Sequence, residues 1–126
     1  MVPSKPPAIT PEERALVKDA IILPVMLDFL QEDISTVHRM GLKLDLIIMG
    51  SLRAMEQQII TEHLNVRAAM RRRGIKLFSA KRSEAGIEGG FLCRGYRHKT
   101  YLLWSVVRAE VLKKASRYTG VRLTSG

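Results

Sequence analysis

Arg67, Arg71, Arg72 and Arg73 close a stretch of helical periodicity. A guanidinium grips phosphate oxygens through a planar fork of N–H donors, so such a cluster is suited to contacting a polyanion. The plainer explanation is that cations at a helix C-terminus offset the helix dipole, at about 0.3–1 kcal/mol each. Three consecutive arginines exceed that need. A second group, Lys76, Lys81, Arg82, Arg94, Arg97 and Lys99, lies on or beside two strand-like stretches, with Phe78 and Tyr96 close by in sequence. Cations interleaved with aromatic rings are what single-stranded nucleic-acid binders use to hold backbone and bases together. Against this, Phe78 has the character of a core residue, and edge strands carry Lys and Arg simply to resist aggregation. Arg94-Gly95-Tyr96 matches the opening of the RNA-recognition signature. Arg97 then stands where a small residue belongs, and no four-stranded pattern surrounds the triplet.

Other reactive residue types form no constellation. Cys93 has no paired histidine and acid and suits a small core position. His38, His63 and His98 are far apart, and His63 beside Glu62 lacks both the HExxH order and a second ligand at helical spacing. Asp28, Glu32 and Asp33 fit a solvated helix face, or a surface that meets a basic partner, better than acid–base catalysis. Gly89-Gly90 and Gly95 match neither the P-loop nor the dinucleotide fingerprint. The expectation is therefore a protein without cofactor or metal, and without catalytic activity.

Charge divides the chain. The net charge is +9 over 126 residues. Residues 1–66 hold 6 Lys and Arg against 9 Asp and Glu, a net of −3, while residues 67–126 hold 15 against 3, a net of +12. This asymmetry points to a polyanionic partner for the second half, or to an acidic protein neighbour. Hydrophobic content of 46% suits a folded domain, and one cysteine excludes an internal disulfide. The N-terminal segment has no hydrophobic leader pattern. The longest apolar run, 20–27, is interrupted by Pro24 and is far shorter than the roughly 18 residues a membrane span needs. The reading is a cytoplasmic protein without a membrane partner: a flexible tail over 1–9, one globular domain over 10–120, and a C-terminal tail over 121–126.

The elements that must position these residues follow from periodicity. Thr10-Pro11-Glu12-Glu13 is a helix start with a capping box. Leu16, Ala20, Leu23, Leu27, Leu30, Ile34 and Val37 then alternate steps of four and three, a stripe that pairs helices side by side. Pro24 should kink or split that helix, and Gly41 should end it. A second stripe, Ile48, Leu52, Met55, Ile59, Val66 and Met70, predicts a helix over 45–73 that stops at Gly74. Glu62 and His63 interrupt the stripe. A break at Thr61 would give the element order of a winged helix-turn-helix, but no Gly or Pro marks one, so a continuous helix is preferred. Residues 75–82 and 87–96 read as two strands of a hairpin. Ile75, Leu77, Ile87, Phe91 and Cys93 face inward, and Lys76, Phe78, Ala80, Arg82, Glu88, Leu92, Arg94 and Tyr96 face outward. Gly89-Gly90 suggests a bulge or a close backbone approach. A last helix is predicted over 100–119 from Trp104, Val107, Val111, Ala115 and Tyr118, with Glu110 and Lys114 spaced for a surface pair.

The fold class expected is α+β, mainly α: a long antiparallel helical hairpin, a two-stranded β-hairpin, then a C-terminal helix packed across both. The function expected is a small nucleic-acid-binding protein, a regulator or mobile-element accessory factor, that grips phosphates through its basic half, with DNA ahead of RNA. The alternative is a protein–protein interaction module working through its helical hairpin. Heptad-like stripes and a free sheet edge also raise a homodimer.

Overall fold

The computed structural model describes residues 8–123. Residues 1–7 and 124–126, most of the two expected tails, lie outside the described residues. Helix α1 (Pro11–Met40) and helix α2 (Asp45–Arg72) form the long helical hairpin. Strands β1 (Ile75–Arg82), β2 (Gly86–Cys93) and β3 (Tyr96–Leu103) follow, then helix α3 (Trp104–Thr119). The α+β, mainly helical architecture stands as expected. The sheet is larger than the expected hairpin: three antiparallel strands in the order β1-β2-β3. Residues 100–103, expected as the first turn of the last helix, belong to β3.

The capping box at the start of α1 is complete. The Thr10 N–H donates to Glu13 Oε1 (3.0 Å), and the Glu13 N–H donates to Thr10 Oγ1 (3.1 Å). At the other end Gly41 adopts the left-handed conformation, with φ 62°, the position where a side chain would be strained. Pro24 does not split α1. Only the bond from position 24 back to the Ala20 carbonyl is forfeited, and the packing around it is dense enough to carry the helix through. Ile21, Ile22 and Leu23 are consecutive and all buried. Three successive helical residues span about 200° of arc, so one packed face cannot cover them all. Helix α1 is accordingly enclosed by α2, α3 and the sheet, and its 20–27 segment is the centre of the core.

Helix α2 runs unbroken through Thr61, so the short helix that a winged order requires does not form. The interruption of its stripe has a physical reason. Glu62 faces α3, where it lies 3.0 Å from Arg117 Nη2 and 3.5 Å from Lys114 Nζ. Lys114 is 4% exposed and also meets Asp19 of α1 at 2.8 Å. Glu110 does not pair with Lys114 as its spacing suggests. It accepts instead from Lys18 (3.0 Å), and its carboxyl is held below the usual range first by that hydrogen bond.

The sheet lays one face on the helices. Ile75 pairs with Cys93, and Leu77 with Phe91, and all but the half-buried Leu77 are buried. A register shift between Leu77 and Ser79 then moves the rest of β1 by one residue, so Ala80 and Arg82 lie opposite the inward Gly89 and Ile87. They therefore point to the helix side, the reverse of uninterrupted alternation. Gly89 and Gly90 are required by close approach from opposite faces: an added Cβ would lie 2.5 Å from Ile21 Cδ1 at Gly89 and 2.7 Å from Phe78 Cε2 at Gly90. Trp104, half-buried, joins β3 to α3, and its indole N–H donates to the Ser83 carbonyl (2.6 Å).

Candidate nucleic-acid interface

Because the helices cover one side of the sheet, its other side is free among the described residues. The register places Lys76, Leu92 and Arg97 in one row on that side, Ser79, Gly90 and Lys99 in the next, and Lys81, Glu88 and Tyr101 in the third. The bulge brings Phe78 to the same side, over Gly90. Phe78 is 48% exposed and Tyr101 50%. The Arg97 guanidinium lies 5.5 Å from the centre of the Phe78 ring, within cation–π range. A shallow depression of about 350 Å³ between Phe78, Lys81, Arg97 and Lys99 opens on this face. Among the described residues Glu88, 3.5 Å from Lys99, is the only carboxylate that lines it.

Two of the hairpin cations named from sequence are engaged elsewhere. Arg82, turned inward by the bulge, donates to Asp28 of α1 (2.6 Å). Arg94, at φ 50° in the β2–β3 turn, donates to Glu13 Oε2 (2.6 Å) and to the Ala8 carbonyl (3.3 Å). Glu13 is 3% exposed. The Arg94 hydrogen bond, followed by the Thr10 backbone donor, pulls its carboxyl down to about 2. Tyr96 pairs with Cys93 and so stands on the helix side.

The arginine cluster does not present one surface. Successive residues on a helix differ by about 100° in direction. Arg67 and Arg71 consequently line a groove toward β1, shared with His63 and Lys76, while Arg72 and Arg73 turn toward Glu12 and Asp19 at the start of α1. Among the described residues Arg67, Arg71, Arg72, Arg73, Lys76, Lys81 and Arg97 make no ion pair. Lys76 sits at the edge where the groove and the outer sheet face meet.

Part of the charge asymmetry is thus internal. Glu13, Asp19, Asp28 and Glu62 of the acidic half pair with Arg94, Lys114, Arg82 and Arg117 of the basic half. Of the cations left over, Arg67, Arg71, Lys76, Lys81, Arg97 and Lys99 lie around β1 and the outer face. Sequence reasoning missed Tyr101 and His63. Tyr101 belonged to a strand mistaken for a helix, whereas the four-residue steps from His63 to Arg67 to Arg71 were available to show a shared face. No group of three or more His, Cys, Asp and Glu among the described residues could hold a metal ion, and no helix there is long and apolar enough to cross a membrane.

Helical hairpin, three-stranded sheet and closing helix span the same residues as a known family. Residues 8–123 match the model of the YhjD protein family, and the chain belongs to that family. No curated protein and no solved structure matches it. The functional reading therefore rests on the geometry.

Proposed function

We propose that the protein binds nucleic acid in the cytoplasm through the outer face of its sheet, with the free end of α2 as a flanking phosphate contact. The observation that carries this reading is the uncovered sheet face itself. Lys76, Lys81, Arg97 and Lys99 surround the exposed rings of Phe78 and Tyr101, with Glu88 as the one acid among them. Cations at this spacing follow a phosphate backbone, and rings lying among them offer stacking surfaces to bases splayed from it. The arrangement favours a single strand over a duplex, because a flat face has no element to enter a groove. Affinity comes mainly from counterion release and falls with salt.

Fluorescence anisotropy with labelled single- and double-stranded DNA and RNA tests this. Six phosphate contacts predict a loss of about a thousandfold in affinity between about 50 and 200 mM salt. Lys81→Glu, Arg97→Glu and Lys99→Glu combined should remove binding while leaving the thermal midpoint within a few degrees, since all three side chains are exposed. Undiminished binding in that variant would remove the sheet face from the reading.

A second reading, a protein-docking module, has its own observation. Met40, Leu44, Leu46 and Ile47 cluster at the tip of the helical hairpin, and Leu46 is 88% exposed. Apolar side chains held in water at a turn fit a protein partner or a second copy of the chain. That interface would hold its affinity as salt rises, whereas the sheet face would not.

A further inference from the structure

The groove between α2 and β1 encloses about 490 Å³, a volume within the range of small-ligand sites. His63, Arg67 and Arg71 stand one above another along its α2 wall, because residues four apart share a helix face. Lys76 enters from β1, and Pro24 and Leu77 supply apolar surface. No Asp or Glu lines the groove among the described residues, and its three permanent cations make no ion pair there. Burial, and then the neighbouring Arg67, holds the His63 imidazole below its ordinary pKa. That favours the neutral imidazole, which offers one N–H donor without adding charge.

A site lined by both cations and apolar surface selects a ligand that has both characters. An inorganic anion would leave the apolar surface wet, and a purely apolar ligand would leave the guanidinium groups without a partner. We propose that this groove binds a nucleoside phosphate, with the phosphate held by Arg67, Arg71 and Lys76 and the base laid against Pro24 and Leu77. Proline suits that place because it presents ring carbons to the groove. The ligand could be a free nucleotide or the phosphorylated end of a strand. Only the strand source rests on the nucleic-acid reading above, and Lys76 would join the two surfaces.

The test is a titration of the full-length ¹⁵N-labelled protein with AMP, adenosine and inorganic phosphate at low salt, followed by amide shifts. AMP should saturate and move the amides of His63, Arg67 and Lys76. Adenosine and phosphate should each bind at least about tenfold more weakly, the scale of one charge-assisted hydrogen bond. Arg67→Glu with Arg71→Glu should weaken AMP by at least about tenfold, and Arg67→Gln with Arg71→Gln serves if reversal unsettles the helix. The triple sheet-face variant should bind AMP unchanged even where it has lost strand binding, which separates failure of the two readings. Oligonucleotides with and without a 5′-phosphate then assign the source: a preference for the phosphorylated strand that the groove variant loses marks a strand end, and no preference beside intact AMP binding marks the free nucleotide. Absence of both AMP saturation and a 5′-phosphate preference overturns the proposal. So does phosphate binding as tightly as AMP, or AMP binding that survives both groove variants.

Discussion

Where α1, α2 and α3 meet, Lys18, Lys114 and Arg117 each have an acid. Lys114 lies between Asp19 and Glu62, Arg117 returns to Glu62, and Lys18 reaches Glu110. On the outer face of the sheet, Lys76, Lys81 and Arg97 have no carboxylate partner among the described residues, and Lys99 has only a 3.5 Å approach to Glu88. The same residue types therefore do two jobs. At the helix junction a charge taken partly out of water needs its counter-charge in place. On the sheet face solvent carries the charge, and the side chains remain free to exchange water and salt for a polyanion. Net charge alone would have merged the two groups. What separates them is whether the acidic half of the chain folds against them.

Breaking the paired region should disturb stability and leave binding intact. The largest effect is expected at Glu13, which caps α1 and anchors the β2–β3 turn through Arg94. Glu13→Ala should lower the thermal midpoint more than Lys114→Met or Phe78→Ala. Its pH dependence has a definite sign. The Glu13 carboxyl is held at about 2, below its ordinary 4.5, so the unfolded chain takes up its proton first. The Glu13 contribution is complete above pH 4.5 and disappears as pH falls toward 2. Thermal melts across that window should show the wild-type midpoint descending toward that of the variant. Parallel curves would show that the ion pair contributes nothing. Lys114→Met comes next. It leaves Asp19 without its cation and Glu62 with Arg117 alone, at a cost of about 2–3 kcal/mol, below the fully buried case because both acids keep some solvent. Denaturant unfolding checks this, and nucleic-acid affinity measured on the folded variant should not move.

The paired region was the more legible one. The capping box needs only Thr10 and Glu13 three residues apart, and the continuity of α2 follows from the lack of any breaker near Thr61. The sheet was harder because its signals are mixed. In β3 the inward positions Tyr96, His98, Thr100 and Leu102 include two polar residues, so the alternation is muted, and Tyr101, Leu102 and Leu103 blend into the apolar stripe that begins at Trp104. The single-residue shift after Leu77 was invisible for another reason. The glycine pair that suggested it lies in β2, whereas the extra residue sits opposite, in β1, and it alone decides that Arg82 turns to the helix side and meets Asp28. The arginine cluster was legible as charge but not as a surface, since direction around a helix depends on what α2 packs against.

Phe78 sharpens the comparison from the other side, with the smallest expected effect. It is a large apolar residue on the face where the cations are free, and it is held there by the bulge and by contact with Gly90. If it is only leftover core, Phe78→Ala should destabilise the fold and leave the affinity of the folded protein unchanged. If it is a stacking surface, the balance reverses. Half its area is already in water, so the thermal midpoint should fall less than for a core phenylalanine, while affinity for a single strand should fall by about 1–2 kcal/mol, the range of one base–aromatic stack. Duplex affinity, which depends on phosphates alone, should stay within about twofold. Phe78→Tyr, which keeps the ring, should restore single-strand binding. A loss shared equally by single strand and duplex would point instead to Arg97, freed from the ring 5.5 Å away and no longer held in the position where the backbone passes.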